Sequence, residues 1–189
     1  MENENFEKIK TPVTHWVFLG IPLLFVIGSP LHFIYAWTGI CSIVGIFAPV
    51  SESIWEHLKL AFWPMLAWWI IGYFIVAKKN KISSAQWFVS ATVALYTAVI
   101  VIITFFYTYT GVFGFESIVL DVFSLLLAIY TGHLLALHIF RRATFIKGLY
   151  WQNIAIALIL FLAVLFAVFT FFAPHIPLFR DSTTGTYGV

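Results

Sequence analysis

The sequence predicts an all-α integral membrane protein with five transmembrane helices. Three observations carry the prediction: the composition, five apolar stretches of spanning length, and a one-sided distribution of basic residues. Of 189 residues, 62% are hydrophobic, 20% aromatic and 10% charged, and the mean hydropathy is +0.99. A soluble domain has roughly 45–50% apolar and about 25% charged residues. This chain has too little polar surface to cover a globule in water, so the bilayer is the solvent that suits it. The net charge of +2 lacks the dense basic face that nucleic-acid binding requires, and no nucleic-acid partner is expected. A single cysteine, Cys41, excludes an intrachain disulfide framework and any multi-cysteine zinc or redox motif.

A spanning helix needs about 20 apolar residues, because each residue rises about 1.5 Å across a hydrocarbon core roughly 30 Å thick. Five stretches qualify, running from about Trp16 to Trp37, Trp55 to Ala77, Gln86 to Tyr107, Ser117 to Phe140 and Tyr150 to Phe172. Between the first two lies a shorter apolar piece, Ile40 to Phe47, bounded by Gly39 and Pro49. It is too short to span and reads as a re-entrant or interfacial segment. The N-terminal MENENFEKIK is acidic and no small-residue cleavage pattern follows, so the first helix is expected to be retained rather than removed as a signal peptide. Without repeats or long linkers, residues 1–189 form one transmembrane domain, with a cytoplasmic tail over 1–14 and an extracytoplasmic tail over 174–189.

Orientation follows the Lys and Arg residues. Lys8, Lys10, Lys78, Lys79, Lys81, Arg141, Arg142 and Lys147 fall on one side, and only Lys59 and Arg180 on the other. The N-terminus is therefore expected inside and the C-terminus outside, in a cell membrane. Trp16, Trp55, Tyr107, Tyr109, Tyr150 and Trp151 fall at span ends, as interfacial belts do.

This topology sorts the ionisable groups by depth. Beyond the N-terminal tail, the carboxylates are Glu52, Glu56, Glu116, Asp121 and Asp181, all toward the outer side, where His32, His57 and His175 join them. The densest piece is Ser51–Lys59, leading into the second span. If it is helical, Ser53 and Glu56 have capping-box spacing, Lys59 can snorkel, and Glu56 suits the positive helix end. Pro64 frees the Leu60 carbonyl, and Gly28-Ser29-Pro30 weakens the first span just before His32, so two bends flank the same layer. In the fourth span, Asp121, Ser124, Ala128, Thr131 and Gly132 share a narrow face of polar and small residues, suited to close helix packing. An acidic Asp121 so near hydrocarbon marks a functional or strongly structural site. His133 and His138 are five apart, about 140° around a regular helix, and cannot share a metal without a local π-bulge. The last residues, Pro174 to Val189, are too short to fold alone; either they are disordered, or they fold back over the outer mouth and bring His175 and Asp181 to the cluster.

Ser29-Pro30-Leu31-His32, then Glu52-Ser53-Ile54-Trp55-Glu56-His57-Leu58-Lys59, and the tail Pro177-Leu178-Phe179-Arg180-Asp181 with Thr184-Gly185-Thr186-Tyr187-Gly188 resemble a family of small, uncharacterised bacterial multi-pass membrane proteins. That resemblance implies no activity. A looser similarity is to alkaline-ceramidase-type intramembrane zinc amidases, which use three histidines, a serine and an aspartate among seven helices. This chain has those residue types but two fewer spans, and its C-terminal histidine spacing differs.

Three functions compete. The first is a metal-dependent hydrolase of a lipid or amphiphile. His32, His57 and His175 would ligate a divalent metal such as zinc, Asp121 or Glu52 would be a fourth or outer ligand, and Ser53 would support the site. Glu56 and Asp121 are the candidate catalytic carboxylates, Glu56 as general base. The second is a small cation- or proton-coupled transporter or channel, homodimeric because five helices enclose little. The third is a non-catalytic membrane scaffold. A hydrolase needs a wet pocket open on one side, and a transporter needs polar groups at successive depths.

Overall fold

A computed structural model describes residues 2–39, 41–143 and 145–188, with side chains from Thr11 onward. The chain forms α1 (Glu2–Trp37), the short α2 (Ser42–Gly45), α3 (Ile54–Gly72), α4 (Ser84–Phe113), α5 (Ile118–Arg142) and α6 (Leu149–Phe171). α3 continues into a π-helical turn, Tyr73–Ala77, and the C-terminal segment carries a 3-10 turn, Pro177–Phe179. Five segments are long and apolar enough to cross a membrane: Thr11–Trp37, Ile54–Ala77, Ser84–Phe113, Ile118–Arg142 and Leu149–Phe171. α1, α4 and α6 end, and α3 and α5 begin, at one end of the bundle, called here the site end.

Helix bounds exceed the apolar stretches by more than two residues at two places. α1 is helical from Glu2, so most of the expected N-terminal tail continues the first helix. α4 runs past Tyr107 to Phe113 and stops at Gly114, whose left-handed φ of 74° suits a residue without a Cβ. The threonines there do not end the helix, because Thr104, Thr108 and Thr110 donate their hydroxyls to the carbonyls of Ile100, Thr104 and Phe106. The short apolar piece after α1 folds as α2 followed by turns leading back to α3; Ile40, at its start, lies outside the described residues.

The two proline sites meet. Pro64 denies the Leu60 carbonyl its intrahelical donor, and Gly28 packs against that oxygen so closely that a Cβ there would lie 2.7 Å from it. Ser29 returns its hydroxyl to the Phe25 carbonyl at 2.8 Å. The helices run on through Pro30 and Pro64, and the weakened turns become the α1–α3 contact. Gly132 does the same for α5 on α4, a Cβ there falling 2.6 Å from the Ala94 carbonyl oxygen. Ser124, Ala128 and Gly132 are buried, so the small stripe of α5 is a packing surface.

Beyond the site end the interior is dry. Phe62, Met65, Leu95, Ile129 and Phe166 are fully buried, and Trp69 and Trp87 meet edge to face at 5.0 Å. His133 lies among them, its Nδ1–H donating to the Ile129 carbonyl at 2.9 Å, with Nε2 unpartnered among the described residues. His138 is exposed and does not join it. At the far end, Arg141 donates to Thr14 Oγ1 and Gln86 to the Phe140 carbonyl.

Candidate functional site

Ser53 begins the site. Its extended backbone (φ −79°, ψ 151°) turns the chain into α3, and its hydroxyl accepts the Glu56 N–H, the first half of a capping box. The Ser53 carbonyl accepts the His57 N–H at 3.2 Å and the His57 imidazole at 2.8 Å. A carbonyl can only accept, so His57 Nδ1 carries a proton, and in the neutral ring Nε2 holds the free lone pair. That nitrogen stands 3.4 Å from Glu52 Oε2. From α1, one turn beyond Gly28, His32 brings its Nε2 to 3.4 Å from Glu52 Oε1. The two imidazoles stack at 5.2 Å with planes 21° apart. One ligand atom from each of His32, Glu52 and His57 lies within 4.8 Å of the other two.

The spacing has chemical content. A charge-assisted hydrogen bond is about 2.7–2.9 Å long, so 3.4 Å is loose for one. Nitrogen and oxygen ligands at about 2.0–2.2 Å from a tetrahedral ion are about 3.4 Å apart, which is the distance found. The Glu52 side chain is 42% exposed and open to water. The nearby imidazoles, His32 first and then His57, hold its carboxyl well below the usual carboxylate range against the opposing effect of burial. His32 Nδ1 is buried and has no partner among the described residues.

Glu52 is positioned from the far end of the chain. Its backbone N–H donates to Asp181 Oδ2 at 3.0 Å. Asp181 Oδ1 accepts the Thr183 N–H and hydroxyl, both at 2.7 Å, and the Thr184 N–H at 2.8 Å. Burial pushes the Asp181 carboxyl up, but these donors outweigh it and bring it down to about 2. The tail is pinned beneath by Phe179, buried against Trp55 at 4.9 Å and Phe169 at 5.2 Å.

One turn along α3 a second carboxylate is treated differently. Glu56 is 2% exposed and pairs with Lys59, which is fully buried. Lys59 Nζ also donates to the Gly45 carbonyl and to Thr170 Oγ1, both at 2.7 Å, while Glu56 Oε2 accepts the Val50 N–H at 3.0 Å. Trp63 Nε1 donates to the Ile46 carbonyl. The loop through α2 is thereby stitched to α3 and α6. Lys59 does not snorkel to water as its position in sequence suggests; α2 and Thr170 supply buried acceptors that make the interior tolerable for an ammonium.

With this geometry in view, comparison adds a relationship. Residues 5–189 match a family described as of unknown function, DUF6512. The chain belongs to that family. No match was found among curated proteins, nor among solved structures.

In this DUF6512 chain, His32, Glu52 and His57 come together, with Ser53 orienting His57. His175 lies apart from them, exposed, its ring stacked on Tyr187 at 4.5 Å. The folded tail brings Asp181, and not His175, to the group. Glu56 is committed to Lys59, a poor position for a general base. Asp121 accepts the Tyr109 hydroxyl at 2.7 Å and is not part of the His32–Glu52–His57 group. Sequence reasoning missed Gly45 and Thr170 as partners of Lys59. Thr170, a hydroxyl in the otherwise apolar second half of α6, was the available signal.

Proposed function

We propose that His32, Glu52 and His57 bind one divalent metal ion, zinc by ligand preference, and that the site hydrolyses an amphiphile entering from the outer leaflet. Two imidazoles and a carboxylate with a position left open for water is a ligand set of catalytic rather than structural zinc. The observation that carries the reading is the 3.4 Å spacing of both His Nε2 atoms from the Glu52 carboxylate, with His57 Nδ1 fixed by the Ser53 carbonyl. Fixing the far nitrogen of a ligating histidine sets its tautomer and aim.

A metal in this position would lower the pKa of a bound water and polarise a substrate carbonyl. The protein's part is to hold Glu52 ionised, present Nε2 of both rings, and clamp the Glu52 backbone with Asp181. Six of the eight basic residues assigned inside, Lys78, Lys79, Lys81, Arg141, Arg142 and Lys147, lie at the opposite end of the bundle, which favours an external site. Transport through one chain is disfavoured by the layer of Phe62, Met65, Leu95, Ile129 and Phe166 beneath the site.

Metal analysis and turnover of the detergent-purified protein test this. About one zinc per chain is expected, lost in His57→Ala, together with hydrolysis of a fluorogenic short-chain ester or amide amphiphile that chelation abolishes and zinc restores. Absence of stoichiometric metal would remove the proposal.

A further inference from the structure

Beside Glu52 lies a cleft of about 400 Å³ between the tail, the start of α3 and the α4–α5 connection. It is at the smaller end of the size range of small-molecule sites. Its lining includes the apolar Ile54, Phe106 and Pro177 and the charged Glu52, Glu116, Arg180 and Asp181. Neither the Arg180 guanidinium nor the Glu116 carboxylate makes a hydrogen bond or ion pair among the described residues. Both are exposed. Of the four charged side chains lining the cleft, Glu52 and Asp181 are engaged in the site already described, which leaves Arg180 and Glu116, of opposite sign and not paired with each other, at the end of a bundle of membrane-spanning length.

We propose that this cleft binds the zwitterionic headgroup of a phospholipid, the phosphate on Arg180 and the ammonium on Glu116, with the start of the acyl chains along Ile54 and Phe106. An arginine fork suits a phosphate, and a carboxylate acceptor suits an ammonium. The same two contacts would discriminate against neutral diglycerides, which leave both charges unmet, and against purely anionic lipids, which place no cation on Glu116. As a substrate assignment this rests on the hydrolase reading above; as a binding site it stands alone. The cleft delivers the headgroup and glycerol region to Glu52.

Calorimetric titration of the full chain in an uncharged detergent tests it, with dihexanoyl phosphatidylethanolamine, dihexanoyl phosphatidylglycerol, dihexanoylglycerol and free phosphoethanolamine as probes. The ethanolamine lipid is expected to bind at least tenfold more tightly than the diglyceride or the anionic lipid. Arg180→Gln and Glu116→Gln should each remove about tenfold, with Arg180→Lys retaining part of it, and thermal melts should confirm folding. Equal binding of the ethanolamine lipid and the diglyceride, or unchanged binding in both variants, would overturn the proposal. Free phosphoethanolamine binding as tightly as the lipid would overturn the lipid assignment in favour of a soluble ligand. The His57→Ala variant separates the two readings: lipid binding retained without metal supports the cleft alone, whereas metal retained in the wild type without lipid selectivity leaves only the metal site.

Discussion

Glu52 and Glu56 are one helical turn apart in sequence and have opposite surroundings. Glu52 lies just before α3, half-exposed, and faces two imidazoles at 3.4 Å. Glu56 lies inside the first turn of α3, sealed from solvent, against the ammonium of Lys59. The difference teaches how to separate structural from chemical acidity in a bundle of long apolar helices. A buried carboxylate with a full-time cation and backbone donors is a fastening. A wet carboxylate whose partners are lone-pair donors at ligand spacing is open to a metal.

The comparison breaks most visibly at the fastening. Lys59→Met leaves Glu56 buried without its cation and is expected to cost about 3–5 kcal/mol. The Glu56→Gln/Lys59→Met double variant should recover most of that loss in detergent thermal unfolding. If the single variant melts like the wild type, the pair does not fasten α2 and α6 to α3.

Asp181→Asn comes next. The native carboxyl is held at about 2, below an unfolded value near 3.9, so its contribution is present above about pH 4 and is lost as pH falls toward 2. About 2 kcal/mol of stability depends on it by linkage. The variant should lose that amount near neutral pH and show a flatter acid limb in melts between pH 5 and 2. Because the Glu52 N–H loses its acceptor, zinc affinity should also fall by about 10–100-fold. An unchanged acid limb would show that the clasp does not form.

A smaller change is expected from Gly28→Ala, which pushes a methyl onto the Leu60 carbonyl and should cost about 1–2 kcal/mol as α1 and α3 separate. It should also loosen His32 relative to His57, and an affinity for zinc equal to that of the wild type would argue that α1 does not set the distance. The smallest stability effect belongs to Glu52→Gln, within about 1 kcal/mol, because water screens its contacts with the two imidazoles at a half-exposed position. Its consequence should lie almost wholly in metal binding.

The five helices of membrane-spanning length were legible because each is a long apolar run, and the run of each is in the sequence. Their ends were less so, because the apolar criterion reports what faces hydrocarbon. Threonines that return their hydroxyls to the backbone carried α4 six residues past Tyr107 to Phe113. In the site, sorting ionisable groups by depth put His32, Glu52 and His57 into one layer, but together with His175, Glu56, Glu116, Asp121 and Asp181. Which of them would touch depended on contacts no local pattern encodes: Asp181 clasping Glu52 across 129 residues and Lys59 reaching Thr170 across 111. The fate of Lys59 was therefore hidden, and so was the stacking of His175 on Tyr187 at 4.5 Å.

The most direct measurement is a zinc titration by competition with a chromophoric chelator on four purified chains: wild type, Glu52→Gln, His57→Ala and Glu56→Gln. The account predicts one site per chain in the wild type, at least about a hundredfold weaker in Glu52→Gln and His57→Ala, and unchanged in folded Glu56→Gln. Zinc held equally by all four, or by none, would contradict it.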